Sequence, residues 1–135
     1  MKKHLIQAAE RGDPEAQFNL AVMYENGLFD SRYVNEGSRS EATRWLLAAA
    51  EQGLARAQVK LAEMYAGEPD RPDGLVKACE WYLLAAQGLR GEHLQKAQSA
   101  YQHAAILLTP AQTAEVSCFV QNWKPKAGMG AVLLN

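Results

Sequence analysis

Strand-forming residues are scarce in this chain. Its 135 residues include seven Val, two Ile and three Thr, too few β-branched side chains to furnish a sheet of any size. Two cysteines, Cys79 and Cys118, exclude a disulfide scaffold and suit a reducing compartment. No run approaches the ~18 consecutive apolar residues of a membrane span, so no membrane association is expected. The opening MKKHLIQAAERGDPE also lacks the apolar core of a secretory leader, because Gln7, Glu10, Arg11 and Asp13 interrupt it. A cytoplasmic location is expected, although a chain already relieved of a leader would read the same. An excess of one charge is missing too: 14 basic and 15 acidic side chains leave a net charge of -1. That balance carries no bulk electrostatic footprint of a nucleic-acid binder.

What is present is helix-forming. The chain has 23 Ala and 16 Leu, residues that lose little freedom in a helix, so an all-α fold is expected. The sequence also matches itself. Ala16-Gln17-x-x-Leu20-Ala21-x-x-Tyr24 returns as Ala57-Gln58-x-x-Leu61-Ala62-x-x-Tyr65, offset by 41, and Ala8-Ala9-Glu10-Arg11-Gly12 returns as Ala49-Ala50-Glu51-Gln52-Gly53 at the same offset. A second block, Ala42-x-x-Trp45-Leu46-Leu47-x-Ala49-Ala50, recurs as Ala78-x-x-Trp81-Tyr82-Leu83-x-Ala85-Ala86 at an offset of 36. The first copy therefore carries five extra residues between its halves. A period of this length with helical content indicates stacked helix pairs.

Local signals place the helices. Asp13 is an N-cap with Pro14 at the first helical position and Glu15 in the first turn. Ala16, Leu20, Met23 and Tyr24 form one apolar face. Ser38 and Glu41 read as a capping box before a helix that stops at Gly53. A second pair covers about 54–66 and 74–87, a fifth long helix 92–108, and Thr109-Pro110-Ala111-Gln112 opens a last helix ending before Pro125. Small alanines let helix axes approach, with Trp45, Trp81, Tyr24 and Tyr65 filling the gaps between them.

These motifs resemble the Sel1-like repeat family, relatives of the tetratricopeptide repeats. The second unit fits through Ala57, Leu61, Tyr65, Lys77, Ala78, Trp81, Tyr82, Ala85, Ala86 and Gly88. The first fits through Ala16, Leu20, Tyr24, Ala42, Trp45, Ala49, Ala50 and Gly53. Ala21 and Ala62 stand where the family has Gly, and Leu46 where it has Tyr. The resemblance implies a right-handed α-α superhelix, an α-solenoid of antiparallel helix pairs. It divides the chain into a single domain over 1–125 (half-repeat 2–12, repeats 13–53 and 54–88, diverged pair 92–124) and a tail over 126–135. It implies a protein–protein contact role without catalysis and without a cofactor.

Residues that could carry chemistry do not converge. His93 and His103 are ten apart, which is not the spacing that puts two metal ligands on one helix face. Cys79 reads as a small packed side chain, and Cys118 has no base placed beside it in the sequence. Glu68, Asp70, Arg71 and Asp73 read as a solvated turn. Gly128-Met129-Gly130 follows a helix rather than a strand and is no phosphate loop. No metal site and no catalytic residue is expected.

A binding surface is the better candidate. Opposite the first core stripe lie Glu15, Phe18, Val22 and Glu25; their counterparts in the second unit are Arg56, Val59, Glu63 and Ala66. In solenoids of this kind that second stripe faces a concave groove, and apolar residues there mark a contact site for a protein or peptide partner. Cover by another part of the chain is the competing explanation. Three functions stay open: an adaptor or regulator, a dedicated inhibitor or immunity-type partner of one toxin or enzyme, and a small enzyme. Residues 127–135, with Met129, Val132, Leu133 and Leu134, are apolar enough to suggest that an apolar groove orders them, either the chain's own or that of a neighbouring copy through self-association.

Overall fold

A computed structural model of the chain describes residues 2–26, 36–68 and 71–126. Among the described residues there are seven helices and no strand: α1 (Lys2–Glu10), α2 (Pro14–Glu25), α3 (Glu36–Glu51), α4 (Ala55–Ala66), α5 (Gly74–Gly88), α6 (Gly91–Ala105) and α7 (Pro110–Asn122). The loop between the halves of the first repeat and the segment after Lys126 lie outside the described residues, as does Asp70. The chain forms two compact units. One runs to Ala57 and takes the chain in again from Pro125; the other is Gln58–Lys124.

The first unit is built on a repeated turn. Gly12 and Gly53, 41 residues apart, share a φ of 101°, a left-handed conformation that only glycine adopts without strain. The Gly12 N–H donates to Ala9 O at 3.0 Å and the Asp13 N–H to Ala8 O at 3.1 Å. Gly53 and Leu54 repeat the pair on Ala50 O (3.0 Å) and Ala49 O (3.3 Å). Both helices thus close with a Schellman motif, which satisfies carbonyls left open at a helix end. After the first turn, the Asp13 carboxylate accepts from the N–H of Glu15 at 3.0 Å and of Ala16 at 3.5 Å, and Pro14 occupies the first turn of α2. The core here is Ala9, Ala16 and Leu20, with Leu5, Ile6, Tyr24 and Trp45 packed around it.

The second unit has a larger aromatic content. Val76, Cys79, Ala104 and Val116 are buried together, covered by Leu83, Tyr101, Leu108 and Val120. Trp81, 6% exposed, meets Phe119 edge-on at 5.9 Å and Trp123 at 6.5 Å, the geometry that ring quadrupoles favour. The last helix opens with the expected capping box. Thr109 Oγ1 accepts from Gln112 N–H at 3.1 Å, and Gln112 Oε1 accepts from Thr109 N–H at 2.9 Å.

Three expectations need correction. Helix α3 starts at Glu36, so Ser38 lies inside it rather than capping it. Helix α6 ends at Ala105 instead of 108. Thr109 must be extended because Pro110 disfavours helical geometry in the preceding residue; the chain turns early, leaving Ile106 and Leu107 in solvent while Leu108 returns to the core. Finally, Trp45 is half-buried where its repeat counterpart Trp81 is buried. Its ring carries the Arg44 guanidinium at 4.9 Å.

Candidate functional site

The groups suited to chemistry are spread out. His103 Nδ1 donates to Ser99 O at 2.7 Å, because a carbonyl can only accept. Cys118 is exposed, and Asn122 Nδ2 donates to its carbonyl at 2.9 Å and contacts its Sγ at 3.3 Å. Burial, reinforced by the charge of Glu80, pushes the Cys79 thiol up to about 11. It stays protonated at neutral pH and offers no thiolate. Glu80 is itself buried on α5. Loss of water raises its pKa; Lys77 opposes that shift, while Glu115 and Asp73 add to it. The Glu63 carboxylate likewise adds to the effect of burial in raising the Tyr82 phenol.

The acidic turn before α5 is held by ion pairs. Arg71 Nε donates to Asp73 Oδ1 at 2.8 Å and its guanidinium lies 3.6 Å from Glu68, while the same group sits 4.8 Å over the Tyr65 ring. The hydrogen bond from Arg71 holds the Asp73 carboxyl below its ordinary range. Among the described residues no group of three His, Cys, Asp or Glu could hold a metal ion, and no helix is long and apolar enough to cross a membrane.

The surface stripe is more informative. On α2, Glu15 and Glu25 are exposed and Phe18 and Val22 half-buried. Arg56, in the first turn of α4, joins them: its guanidinium lies 5.1 Å over the Phe18 ring and pairs with the Glu15 carboxylate. The structure therefore brings together Glu15, Phe18 and Arg56. Val59, half-buried, and Glu63, exposed, belong to the other unit. Of the repeat positions, Ala16, Leu20, Ala49, Ala57, Leu61, Trp81 and Ala85 are buried, Tyr24, Trp45 and Tyr65 half-buried, and Gly53 and Gly88 exposed at helix ends.

One polar residue escaped the reading of the sequence. Gln17, 5% exposed, donates through Nε2 to Ala9 O at 3.0 Å and accepts from Gln52 Nε2 at 2.8 Å. It ties together the ends of α1 and α3 and the start of α2, and both polar atoms of the buried amide have a partner. The signal was available: Gln17 and Gln58 match at the offset of 41, and Gln58 is buried as well.

Comparison with known families agrees with this repeat. The model of the Sel1 repeat matches residues 14–54 and 55–88, one residue later at its start than the unit read from the sequence. No curated protein and no solved structure matches the chain. Sel1 repeats are generally protein–protein interaction modules, typically without catalysis, and their fold is an α-solenoid. Two consecutive matches over more than half of the residues, the first flanked on both sides by the same Schellman turn, establish that the chain belongs to the Sel1 repeat family.

Proposed function

We propose that this protein is a non-catalytic interaction module that holds a segment of a partner protein on the exposed face of α2. The observation that carries this reading is the Glu15–Arg56–Phe18 cluster. Arg56 and Glu15 keep about half of their side-chain surface in solvent, 53% and 54%, yet Arg56 is already oriented by the Phe18 ring and the two side chains by each other. Arg is among the residue types enriched in binding hot spots, and its cation is attracted to the face of an aromatic ring. Its pre-ordering reduces the side-chain entropy lost on association. Val22 and Glu25 continue the same face of α2 and supply an apolar contact and a charged rim.

Immobilised wild-type protein, the Arg56→Glu and Phe18→Ala variants, and a remote control, Glu92→Gln, can be exposed to one native lysate and the bound proteins quantified. The wild type and the control should retain at least one protein tenfold more strongly than either cluster variant. Tenfold corresponds to about 1.4 kcal/mol, less than the ~2 kcal/mol that defines a hot spot. Identical capture profiles for all four would refute the assignment of this face.

A further inference from the structure

Helices α1 and α3 are copies of one another. Ala8-Ala9-Glu10-Arg11-Gly12 matches Ala49-Ala50-Glu51-Gln52-Gly53 at the offset of 41, which pairs His4 with Trp45, Leu5 with Leu46 and Ala8 with Ala49. On α3 this side of the helix is occupied. Leu46 and Ala49 are buried, and Trp45 packs on the Ala9–Ala16–Leu20 core, of which Ala16 and Leu20 belong to α2. The far end of α3 is closed as well: Lys126 N–H donates to Glu51 O at 2.7 Å, and Lys126 Nζ pairs with the Glu51 carboxylate at 2.7 Å. On α1 the counterparts Leu5 and Ala8 are half-buried, and His4 and Glu10 exposed. Among the described residues, the His4–Leu5–Ala8 side of α1 opens onto a cleft of about 560 Å³ whose opposite wall is Ala16 and Met23 of α2.

We propose that the partner segment is an amphipathic helix that lies in this cleft along α1, in the place that α2 takes along α3. The proposal rests on the reading that a partner is held on α2 and names the form of that partner. Glu15 belongs to both surfaces, because it lies between Phe18 and Asn19 around the circumference of α2. The mixed lining suits a helix. An apolar stripe would meet Leu5, Ala8, Ala16 and Met23, and the polar flank beside it would meet Glu15 and Asn19 at the rim. The repeat supplies the pattern of that stripe: α2 offers Ala16, Leu20 and Tyr24, four residues apart, to the core that Trp45 covers. Charge complementarity fixes the direction. Gln17 near the start of α2 bonds Gln52 at the end of α3, so α2 runs antiparallel to α3, and a helix placed likewise on α1 brings its amino end to Asp13 and Glu15. Two carboxylates complement the positive end of a helix dipole. Its carboxyl end reaches His4, whose ring can donate to the carbonyls that a helix leaves open there.

The probe is a peptide of residues 13–26, the sequence of α2 itself, fluorescein-labelled and stapled through positions 18 and 22, away from the Ala16–Leu20 stripe. With Leu20→p-benzoylphenylalanine in the peptide, irradiation with the full-length chain should give adducts on Leu5 or Ala8, mapped by mass spectrometry. Asn19→Trp in the protein, at an exposed position where a ring closes the mouth of the cleft, should weaken peptide binding at least tenfold while far-UV dichroism stays unchanged. Adducts on α3, which mean that the peptide has displaced α2, would overturn the proposal, as would the absence of adducts. In the lysate experiment, a protein lost by Arg56→Glu but retained by Asn19→Trp would also overturn it and leave the α2 face standing. Equal capture by every variant would instead refute the reading on which the proposal rests, whatever the peptide does.

Discussion

Trp81 and Trp45 occupy the same place in the repeat pattern, yet truncating them should have very different consequences. A tryptophan buries roughly 150–250 Å², and at about 25 cal/mol per Å² that is worth roughly 4–6 kcal/mol when burial is complete. Trp81 is 6% exposed and in edge contact with Phe119 and Trp123. Trp81→Ala should therefore destabilise by about 4 kcal/mol, within the roughly 3–5 kcal/mol found for aromatic truncation in cores. Trp45 is half-buried and its ring meets the Arg44 guanidinium; Trp45→Ala should cost about 2 kcal/mol by the same scaling. Urea denaturation followed by dichroism at 222 nm gives both values. Fluorescence distinguishes the units, since Trp45 lies in one and Trp81 and Trp123 in the other. Trp81→Phe, which keeps an aromatic ring beside Phe119, should recover a large part of the loss. Equal costs for the two alanine variants, or a larger cost at Trp45, would refute the argument that the α7 rings make the difference.

Glu80 carries a pH signature of known sign. Burial raises its folded pKa above the ordinary value of 4.5, so the native state keeps its proton where the unfolded chain has lost it. Stability then falls as pH rises from about 4.5 to the folded value and is level beyond it. The melting temperature of Glu80→Gln relative to wild type should increase between pH 4 and pH 7; a constant or decreasing difference would contradict this. Gly74→Ala should destabilise by about 1–3 kcal/mol, as overpacking does, against the usual gain from removing a helical glycine. A Cβ there would stand 2.9 Å from Tyr65 O and 3.3 Å from Glu68 O, both backbone atoms. Chemical denaturation decides it, and a stabilised variant would show that the α4–α5 connection yields.

Features encoded locally were the ones legible in the sequence. Apart from the Ser38–Glu41 box, the predicted Asp13 cap, Thr109–Gln112 box and Gly53 stop each depend on residues within five positions of one another. All appear as expected. The repeat likewise revealed the helix pairs, because burial of Ala16, Leu20, Ala57 and Leu61 follows from spacing alone. What the pattern could not reveal is what a distant helix contributes. Trp45 and Trp81 have equivalent local contexts, but Trp81 is covered by Phe119 of α7 and by Trp123 just after it. The stacking of Arg56 on Phe18 joins residues 38 apart, and helical spacing shows only that each faces away from its own core stripe. The end of α6 was misjudged for a different reason: Ile106-Leu107-Leu108 continue an apolar run, and the constraint that ends the helix acts backward from Pro110.

The two bonds between Lys126 and Glu51 have a consequence for the order in which the molecule is assembled. The unit that begins at the amino terminus is not finished by its own first 57 residues; it includes a segment that follows the whole of Gln58–Lys124. On the ribosome, α1 to α3 emerge and can pair through their Schellman turns long before Lys126 exists. The carboxylate and terminal carbonyl of Glu51 must then wait in water for a partner 75 residues downstream. Bringing such a pair together in an unfolded chain costs about 4 kcal/mol of closure entropy beyond a constant, more than an exposed ion pair and one hydrogen bond return. Closure therefore follows folding of the intervening helices, which shortens the flexible path. Synthesis halted before Lys126 would leave an amino-terminal unit that is helical but open.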